Sequence, residues 1–307
     1  MRIVSGVAEG RELLLRRLSL DAPDLPAAVR DDIRRIFGAE LDAAGVVEQI
    51  VRDVRNDGDD AIRRYNCELD RLSADVPLEV SRGEIGSAFD KVGPEAVEAL
   101  RRAAERVRQF HEQQLAHSIR SFENEGIGQV VRPISKVGMY VPGTAVVYPS
   151  TVLMLAIPAR VAGVGDLNMV TPAAQDGSVS PLKLVAADIA GVDRVFRAGG
   201  VQGIGALAYG TETIPAVHKI CGPGNIFVTI AKKRLFGEVG IDGIFGPSET
   251  LIVADEFADP DLVAADLLAA AEHDELATSV LITTSASLAE SVNERVEASL
   301  GSLARAD

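Results

Sequence analysis

Val137-Gly-Met-Tyr-Val-Pro-Gly143 is the first of three short stretches that decide the fold of this chain. The other two are Gly199-Gly-Val-Gln-Gly203 and Cys221-Gly-Pro-Gly-Asn225. In each stretch, an apolar run typical of a strand meets a run typical of a helix. In an open α/β sheet such junctions lie along the carboxyl edge of the strands, where ligands bind. Glycine lets backbone N–H groups approach a ligand closely, and a helix N-terminus favours phosphate.

The sequence around these stretches alternates between strand and helix patterns. It predicts strands over residues 136–141, 166–171, 194–198, 219–221, 249–254 and 277–284. It predicts helices over residues 150–162, 181–189, 202–209, 227–236, 260–272 and 288–303. Ser150 is expected to cap the first of these helices, and Pro158 to bend or interrupt it. We therefore expect an α/β fold that is Rossmann-like, with a largely parallel sheet flanked by helices.

Three regions follow from this pattern. Residues 1–129 are predicted to be a mostly helical segment that packs on the later α/β part. Two helical stripes of apolar residues support this prediction: Val46, Val47, Ile50, Val51 and Val54, and then Val97, Leu100, Ala104 and Val107. We expect residues 130–240 to form a nucleotide-binding lobe and residues 241–307 to form a second, incomplete α/β lobe.

Composition excludes several functions. A net charge of −14 argues against nucleic-acid binding, which needs a basic face to neutralise phosphates. The two cysteines form no C-x-x-C pair, so a cysteine zinc cluster is not expected. The sequence shows neither a secretory signal nor an apolar run long enough to span a bilayer, which predicts a cytoplasmic protein without a membrane contact.

The run Gly199-Gly-Val-Gln-Gly-Ile-Gly205 has the context of a dinucleotide loop, because it follows a predicted strand and opens a predicted helix. Gly203 and Gly205 match the first two glycines of that fingerprint, whereas the third position is Ala208. No acidic residue stands convincingly at the end of the next strand to hold a ribose. Tight packing of helix on strand explains these glycines equally well, and the amide of Gln202 slightly favours a nucleotide.

Three polar turns leave alternatives open. In Cys221-Gly-Pro-Gly-Asn225, the side chain of Asn225 either caps the next helix or donates its amide to a ligand. In Gly246-Pro-Ser-Glu-Thr250, Ser248 either binds a substrate or closes a turn. Ala271-Glu-His-Asp274 is suited to a divalent metal or to proton transfer, but on residue chemistry alone a solvated helix end is the better interpretation.

Together these stretches resemble the histidinol dehydrogenase family. The similarity runs from about Asp53 to the end of the chain and is densest in six places. These are Val137-Gly-Met-Tyr-Val-Pro-Gly143, Pro149-Ser-Thr-Val-Leu-Met154, Ala198-Gly-Gly-Val-Gln202, Ile220-Cys-Gly-Pro-Gly-Asn225, Gly246-Pro-Ser-Glu249 and Ala271-Glu-His273. Chance does not produce this agreement in both order and spacing.

The resemblance implies an enzyme that oxidises a small amino alcohol in two steps, from L-histidinol through histidinal to L-histidine, in histidine biosynthesis. NAD is the oxidant, a bound zinc ion orients the substrate, and the protein is a homodimer. By the same resemblance, Tyr140, Gln202 and Asn225 fall on NAD-contacting positions. Ser248 falls on a substrate-contacting position, and His273 falls on a position that both ligates zinc and contacts the substrate.

The chain departs from the family pattern in two ways. Ala270 stands where the family has Gln, and a methyl group cannot ligate a metal. The family is also longer, and its paired Glu-His bases and its remaining zinc ligands lie in a C-terminal part that this sequence lacks. We therefore expect an incomplete copy and assign no catalytic base. The alternative hypothesis is a shortened, catalytically impaired homologue that binds NAD or a partner without turnover.

Overall fold

Contacts between residues divide the chain into two units. The structure is a computed structural model that describes residues 2–14, 25–143, 147–245, 248–272, 277–301 and 303. The larger unit is Leu20–Phe245, and the smaller unit combines Met1–Ser19 with Gly246–Asp307. Within the described ranges, no helix is both long enough and apolar enough to cross a bilayer.

From Lys136 onward, the helices and strands follow the predicted alternation, with the short strand Gly240–Ile241 in addition. The elements are α1 (Val7–Leu14), α2 (Ala27–Phe37), α3 (Ala43–Asp57), α4 (Asp59–Asp70), α5 (Arg82–Ala88), α6 (Pro94–Ala116), β1 (Phe122–Asn124), β2 (Ile127–Gln129), β3 (Lys136–Tyr140), α7 (Pro149–Val161), β4 (Asp166–Thr171), α8 (Pro181–Ala190), β5 (Arg194–Arg197), α9 (Gly200–Tyr209), β6 (Lys219–Cys221), α10 (Ile226–Leu235), β7 (Gly240–Ile241), β8 (Glu249–Ala254), α11 (Pro260–Ala271), β9 (Thr278–Thr283) and α12 (Ala286–Leu300).

A five-stranded parallel sheet lies at the centre of the larger unit. Its strand order is β5-β4-β3-β6-β7, and each neighbouring pair is parallel. The first strand of the sheet along the chain is β3, which lies in the middle. The next strands, β4 and β5, lie on one side of it, and β6 and β7 lie on the other side. This reversal places a topological switch point between β3 and β6, and the expected α/β fold with a parallel sheet flanked by helices is confirmed.

The two faces of the sheet bury alternate residues of each strand, as the period of a strand requires. In β3, Val137 and Met139 join a core with α5 to α8, whereas Tyr140 joins a core with α3, α4, α9 and α10. Gly138 lies under α9, because a Cβ there would stand 2.8 Å from the side chain of Leu207. The glycine in β3 therefore lets α9 pack directly on the strand.

The N-terminal helices form an outer layer on both sides of this core. α3 packs on α9 and α10, and α6 packs on α7 and α8. Asp59, at the start of α4, accepts hydrogen bonds from the hydroxyls of Thr211 and Thr213, and its backbone N–H donates to Glu212 at 2.9 Å. These polar ties fix α4 beside the turn that follows α9.

The smaller unit contains the parallel pair β8 and β9 with α11 and α12. One face of β8 packs on the helices through Ile252 and Ala254. The other face leaves Leu251 57% exposed and Val253 75% exposed. Parallel strands are ordinarily covered on both faces, so this pair is only half covered within the described residues.

The start of α7 differs from the prediction. Ser150 was expected to cap the helix, but the helix begins at Pro149 with Tyr148 at the cap position and no side-chain cap. Proline fits the first position of a helix because the N–H it lacks would be unpaired there. The helix also continues through Pro158 to Val161, so Pro158 does not interrupt it.

The β1–β2 hairpin was not predicted from the sequence. Both strands have three residues, and all of them are exposed, so no apolar alternation marks them. The turn between them is Glu125-Gly126, and both residues have positive φ, at 51° and 80°. Such a turn suits a two-residue hairpin, and Gly126 was the available signal.

Candidate functional site

The three glycine-containing stretches lie at one edge of the central sheet. β3 ends at Tyr140, β5 at Arg197 and β6 at Cys221, and these strands run in the same direction. We call the turns at residues 141–143, 198–200 and 222–225 the carboxyl edge. The first and third of these turns flank the switch point between β3 and β6, which is where open α/β sheets bind ligands.

The turn after β6 is held in place on both sides. The N–H of Gly222 donates to Asp242 at 2.8 Å, and its carbonyl accepts from the buried ammonium of Lys232 at 3.0 Å. Lys232 and Asp242 also form an ion pair with each other. Gly222 has φ +129°, and a Cβ there would overlap the carbonyl oxygen of Tyr140. Only glycine fits at this position.

Asn225 caps α10, as one of the two sequence interpretations expected. Its side-chain oxygen accepts from the N–H of Val228 at 3.1 Å. The residue is exposed, and no described residue accepts a hydrogen bond from its amide nitrogen. The cap therefore uses one end of the amide and leaves the other for a ligand, and the NAD contact stays a prediction.

Tyr140 joins the turns that follow β3 and β5. Its hydroxyl accepts from the N–H of Gly200 at 3.3 Å, and Gly200 has φ +47°. Burial raises the pKa of Tyr140 to about 12, with the nearby carboxylate of Asp70 adding to the effect. The phenol therefore keeps its proton at neutral pH and presents it beside the glycine turn.

Gln202 lies deeper than its position in the sequence suggests. The residue is 1% exposed, and its amide nitrogen donates to Asn66 at 3.2 Å and to Asp70 at 3.5 Å. Its side-chain oxygen is buried and accepts no hydrogen bond from the described residues. That oxygen would lie 3.0 Å from a Cβ on Gly200, so it faces the glycine turn.

The sequence analysis missed two polar residues of α4 at this edge. Asn66 donates to the carbonyl oxygen of Arg197 at 2.7 Å, where β5 ends. Asp70 lies beside Gly199, and burial raises the pKa of Asp70 to about 6. The two residues are four apart and therefore share one face of the helix. That spacing was the available signal, but nothing in the sequence linked α4 to the glycine turns.

Lys183 was also missed. It is the only lysine of α8, its side chain is 1% exposed, and burial lowers the pKa of Lys183 to about 8. Its ammonium donates to the hydroxyl of Thr171 at 3.0 Å and to the carbonyl oxygen of Gly143. No carboxylate of the described residues forms an ion pair with it. A lone lysine near the start of a largely apolar helix was the available signal.

The structure says less about Ser248 and His273, the two predicted site residues of the smaller unit. Ser248 is exposed, and its carbonyl accepts from the N–H of Thr278 at 2.9 Å as β8 begins. His273 lies outside the described residues. Ala270 is half-buried on α11. Over the described ranges, no three His, Cys, Asp or Glu side chains come together in a way that would hold a metal ion.

The carboxyl edge suits a dinucleotide. The N-termini of α9 and α10 both open there, and each favours a phosphate group. A Cβ at Gly199, Gly200 or Gly222 would come within 3.0 Å of Asp70, Gln202 or Tyr140, so these turns require glycine where the helices begin. The unpartnered oxygen of Gln202 calls for a hydrogen-bond donor. The residues present therefore fit a phosphate-bearing ligand that also carries hydroxyl or amide donors.

Comparison with known proteins gives one consistent result. The sequence model of the family described as Histidinol dehydrogenase matches residues 36–307. A histidinol dehydrogenase of Dehalococcoides mccartyi (strain CBDB1) is 46% identical over 311 residues, covering 100% of this chain and 70% of the relative. One of Geobacter sulfurreducens is 52% identical over 264 residues, covering 85% of this chain and 61% of the relative.

A solved structure has the same fold. The crystal structure of histidinol dehydrogenase from Elizabethkingia anophelis superposes with a TM-score of 0.80 at 33% sequence identity. The superposition covers 98% of this chain and 66% of the other. This chain thus spans about two thirds of the length of these relatives.

Proposed function

This chain belongs to the histidinol dehydrogenase family, and from that premise we propose that it is part of an NAD-dependent oxidoreductase. The reaction is the two-step oxidation of L-histidinol through histidinal to L-histidine, in histidine biosynthesis. The observation that carries the proposal is the carboxyl edge, where three glycine turns and two helix N-termini lie along the same edge of the sheet and two of the turns flank its switch point.

Three residues of the chain are proposed to hold NAD. The neutral hydroxyl of Tyr140 has a proton to donate, and the exposed amide of Asn225 has two. The buried oxygen of Gln202 has no partner among the described residues and would accept a hydrogen bond from the cofactor. The bound cofactor would supply the hydride acceptor for oxidation of the alcohol. The task of these residues is to fix the cofactor in position and to satisfy its polar groups.

The metal site is proposed only in outline. Zinc would act as a template that orients the alcohol, with His273 as a ligand and with His273 and Ser248 as substrate contacts. The described residues alone do not form such a site. We therefore assign no step of the reaction to a metal.

We also propose that the protein is a cytoplasmic homodimer. Membership of the family supports this part of the proposal. Sedimentation of the purified protein tests it, because a monomer at all concentrations would exclude the dimer.

Two measurements test the function. The chain is first titrated with NAD by calorimetry, and NADH formation from L-histidinol is then followed in the presence of zinc. NAD binding with turnover supports the proposed reaction. NAD binding without turnover supports the alternative of an impaired homologue, which Ala270 favours. A chain that binds no NAD contradicts the assignment of the cofactor.

A substitution at Asn225 can distinguish its role as a helix cap from its proposed contact with NAD. Asn225→Ser keeps a good N-cap and removes the amide donor. We expect the Kd for NAD to rise about tenfold, which corresponds to about 1.4 kcal/mol, and the unfolding midpoint to stay within the error of the measurement. An unchanged Kd would remove Asn225 from the site.

A further inference from the structure

Dinucleotide-binding α/β folds place a carboxylate at the end of their second strand. That carboxylate accepts a hydrogen bond from the ribose 2′-hydroxyl of the adenosine half. In this chain β3, α7 and β4 form the first strand–helix–strand unit, so the carboxylate would follow β4. The sequence there is Thr171-Pro-Ala173, which contains no acid.

The carboxylate of Asp70, which belongs to the N-terminal segment, lies near the end of β4. Its Oδ2 atom would lie 2.8 Å from a Cβ placed on Gly199, and the Cβ of Pro172 would lie 3.0 Å from the same point. Pro172 is the first residue after β4. The carboxylate of α4 and the end of β4 therefore meet at one glycine of the carboxyl edge.

The carboxylate of Asp70 has few polar partners among the described residues. Its contact with the amide nitrogen of Gln202 is 3.5 Å long, at the limit of a hydrogen bond. Among the residues that the structure describes, no cation pairs with it. Burial raises its pKa to about 6, so the group is ionised at neutral pH at a cost in folding free energy.

A second acceptor beside Asp70 lacks a donor as well. The side-chain oxygen of Gln202 is buried, faces Gly200 and accepts nothing from the described residues. Two acceptors, one of them charged, therefore lie next to the glycine turn at residues 199–200. Such a pair calls for a ligand that carries hydroxyl donors, and a ribose diol is such a group.

We propose that Asp70 accepts hydrogen bonds from the adenosine ribose hydroxyls of NAD and makes the chain select NAD over NADP. A 2′-phosphate would remove one donor and place its negative charge against the carboxylate. This inference rests on the proposed NAD dependence and adds to it the residue that recognises the ribose.

Calorimetric titrations with NAD, NADP and 2′-deoxy-NAD test the inference. Wild type is expected to bind 2′-deoxy-NAD about tenfold more weakly than NAD, and NADP more weakly still. Asp70→Asn is expected to bind NAD about tenfold more weakly than wild type, and to lose most of the discrimination against NADP and 2′-deoxy-NAD. The control is Glu68→Gln, which removes the same charge from α4 at a residue that has no described hydrogen bond or ion pair, and it is expected to match wild type.

The outcomes are distinguishable. If wild type binds no NAD, the proposed function and the role of Asp70 fail together. If wild type binds NAD and 2′-deoxy-NAD equally well, only the role of Asp70 fails, and this result needs no variant to fold. Equal affinities of Asp70→Asn and wild type for NAD would overturn it as well. An equal loss for all three ligands would indicate a structural role and would also overturn it.

Discussion

The ammonium of Lys183 lies 3.0 Å from the hydroxyl oxygen of Thr171, which in turn donates to the carbonyl oxygen of Val141 at 2.8 Å. Lys183 also donates to the carbonyl oxygen of Gly143. The turn after β3 is therefore held by a buried cation whose described partners are all neutral. A charge without a counter-charge in the interior weakens folding.

Lys183→Met should change how stability depends on pH. Burial lowers the folded-state pKa of Lys183 to about 8, from 10.5. Between these values the unfolded chain binds more protons than the folded one, so wild-type stability rises with pH, by up to about 3 kcal/mol. The variant should lack this rise in urea unfolding series. Lys91→Met, at an exposed lysine, is the control that should keep it. A rise of the same size in Lys183→Met would contradict the assignment.

Asp70→Asn should stabilise the fold at neutral pH. The folded-state pKa of Asp70 is raised to about 6, from 3.8, so its ionisation lowers wild-type stability as pH rises through this window. We expect the variant to be more stable than wild type by about 1–2 kcal/mol at pH 8 and equal to it near pH 4. Chemical denaturation at both pH values measures the difference. A variant that is less stable at pH 8 would show that the carboxylate is structurally required.

Asp242→Asn should destabilise the larger unit strongly. It removes the counter-charge of Lys232, which is 3% exposed, and it weakens the hydrogen bond that the N–H of Gly222 donates to residue 242. We expect a loss of about 2–4 kcal/mol, because the lysine is left buried and unpaired. Glu48→Gln breaks the exposed pair of Glu48 with Arg234 and should cost less than about 1 kcal/mol. Similar losses for both variants would contradict this ranking.

The smaller unit should promote self-association. Leu251 and Val253 are exposed on the uncovered face of β8, and strand edges offer free backbone groups. We expect the sedimentation coefficient to rise with concentration, and Val253→Lys to reduce this rise. Leu262→Lys, at an exposed leucine of α11, is the matched control and should leave it unchanged. If both variants behave alike, the face of β8 is not the surface involved.

The parallel sheet could be predicted from sequence because its signals are local. Each strand is a short apolar run followed by a turn with glycine, and each crossover is a helix with an apolar stripe. The bounds of β4, β6 and β8 were predicted to the residue, and α9 starts only two residues earlier than predicted, at Gly200.

The acidic part of the candidate site could not be predicted in this way. Asp70 and Asn66 meet Gln202 across more than 130 residues of sequence. No periodicity or motif encodes a contact of that range. Lys183 shows a related limit, since its burial depends on where Gly143 and Thr171 place their oxygens. Asp70 and Lys183, whose pKa values are shifted by burial, were therefore both missed in the sequence analysis.

The ties between α4 and the turn after α9 also constrain how the chain folds during synthesis. Asp59 finds Thr211 and Thr213 only after more than 150 further residues have been added. At the usual speed of a ribosome this takes on the order of ten seconds. Throughout that time the apolar stripe of α3 has no α9 or α10 to cover it, and we expect the exposed stripe to favour chaperone binding. The contacts of α4 with the turn after α9, and of α3 and α4 with α9 itself, thus form late, although these helices precede the sheet in the chain.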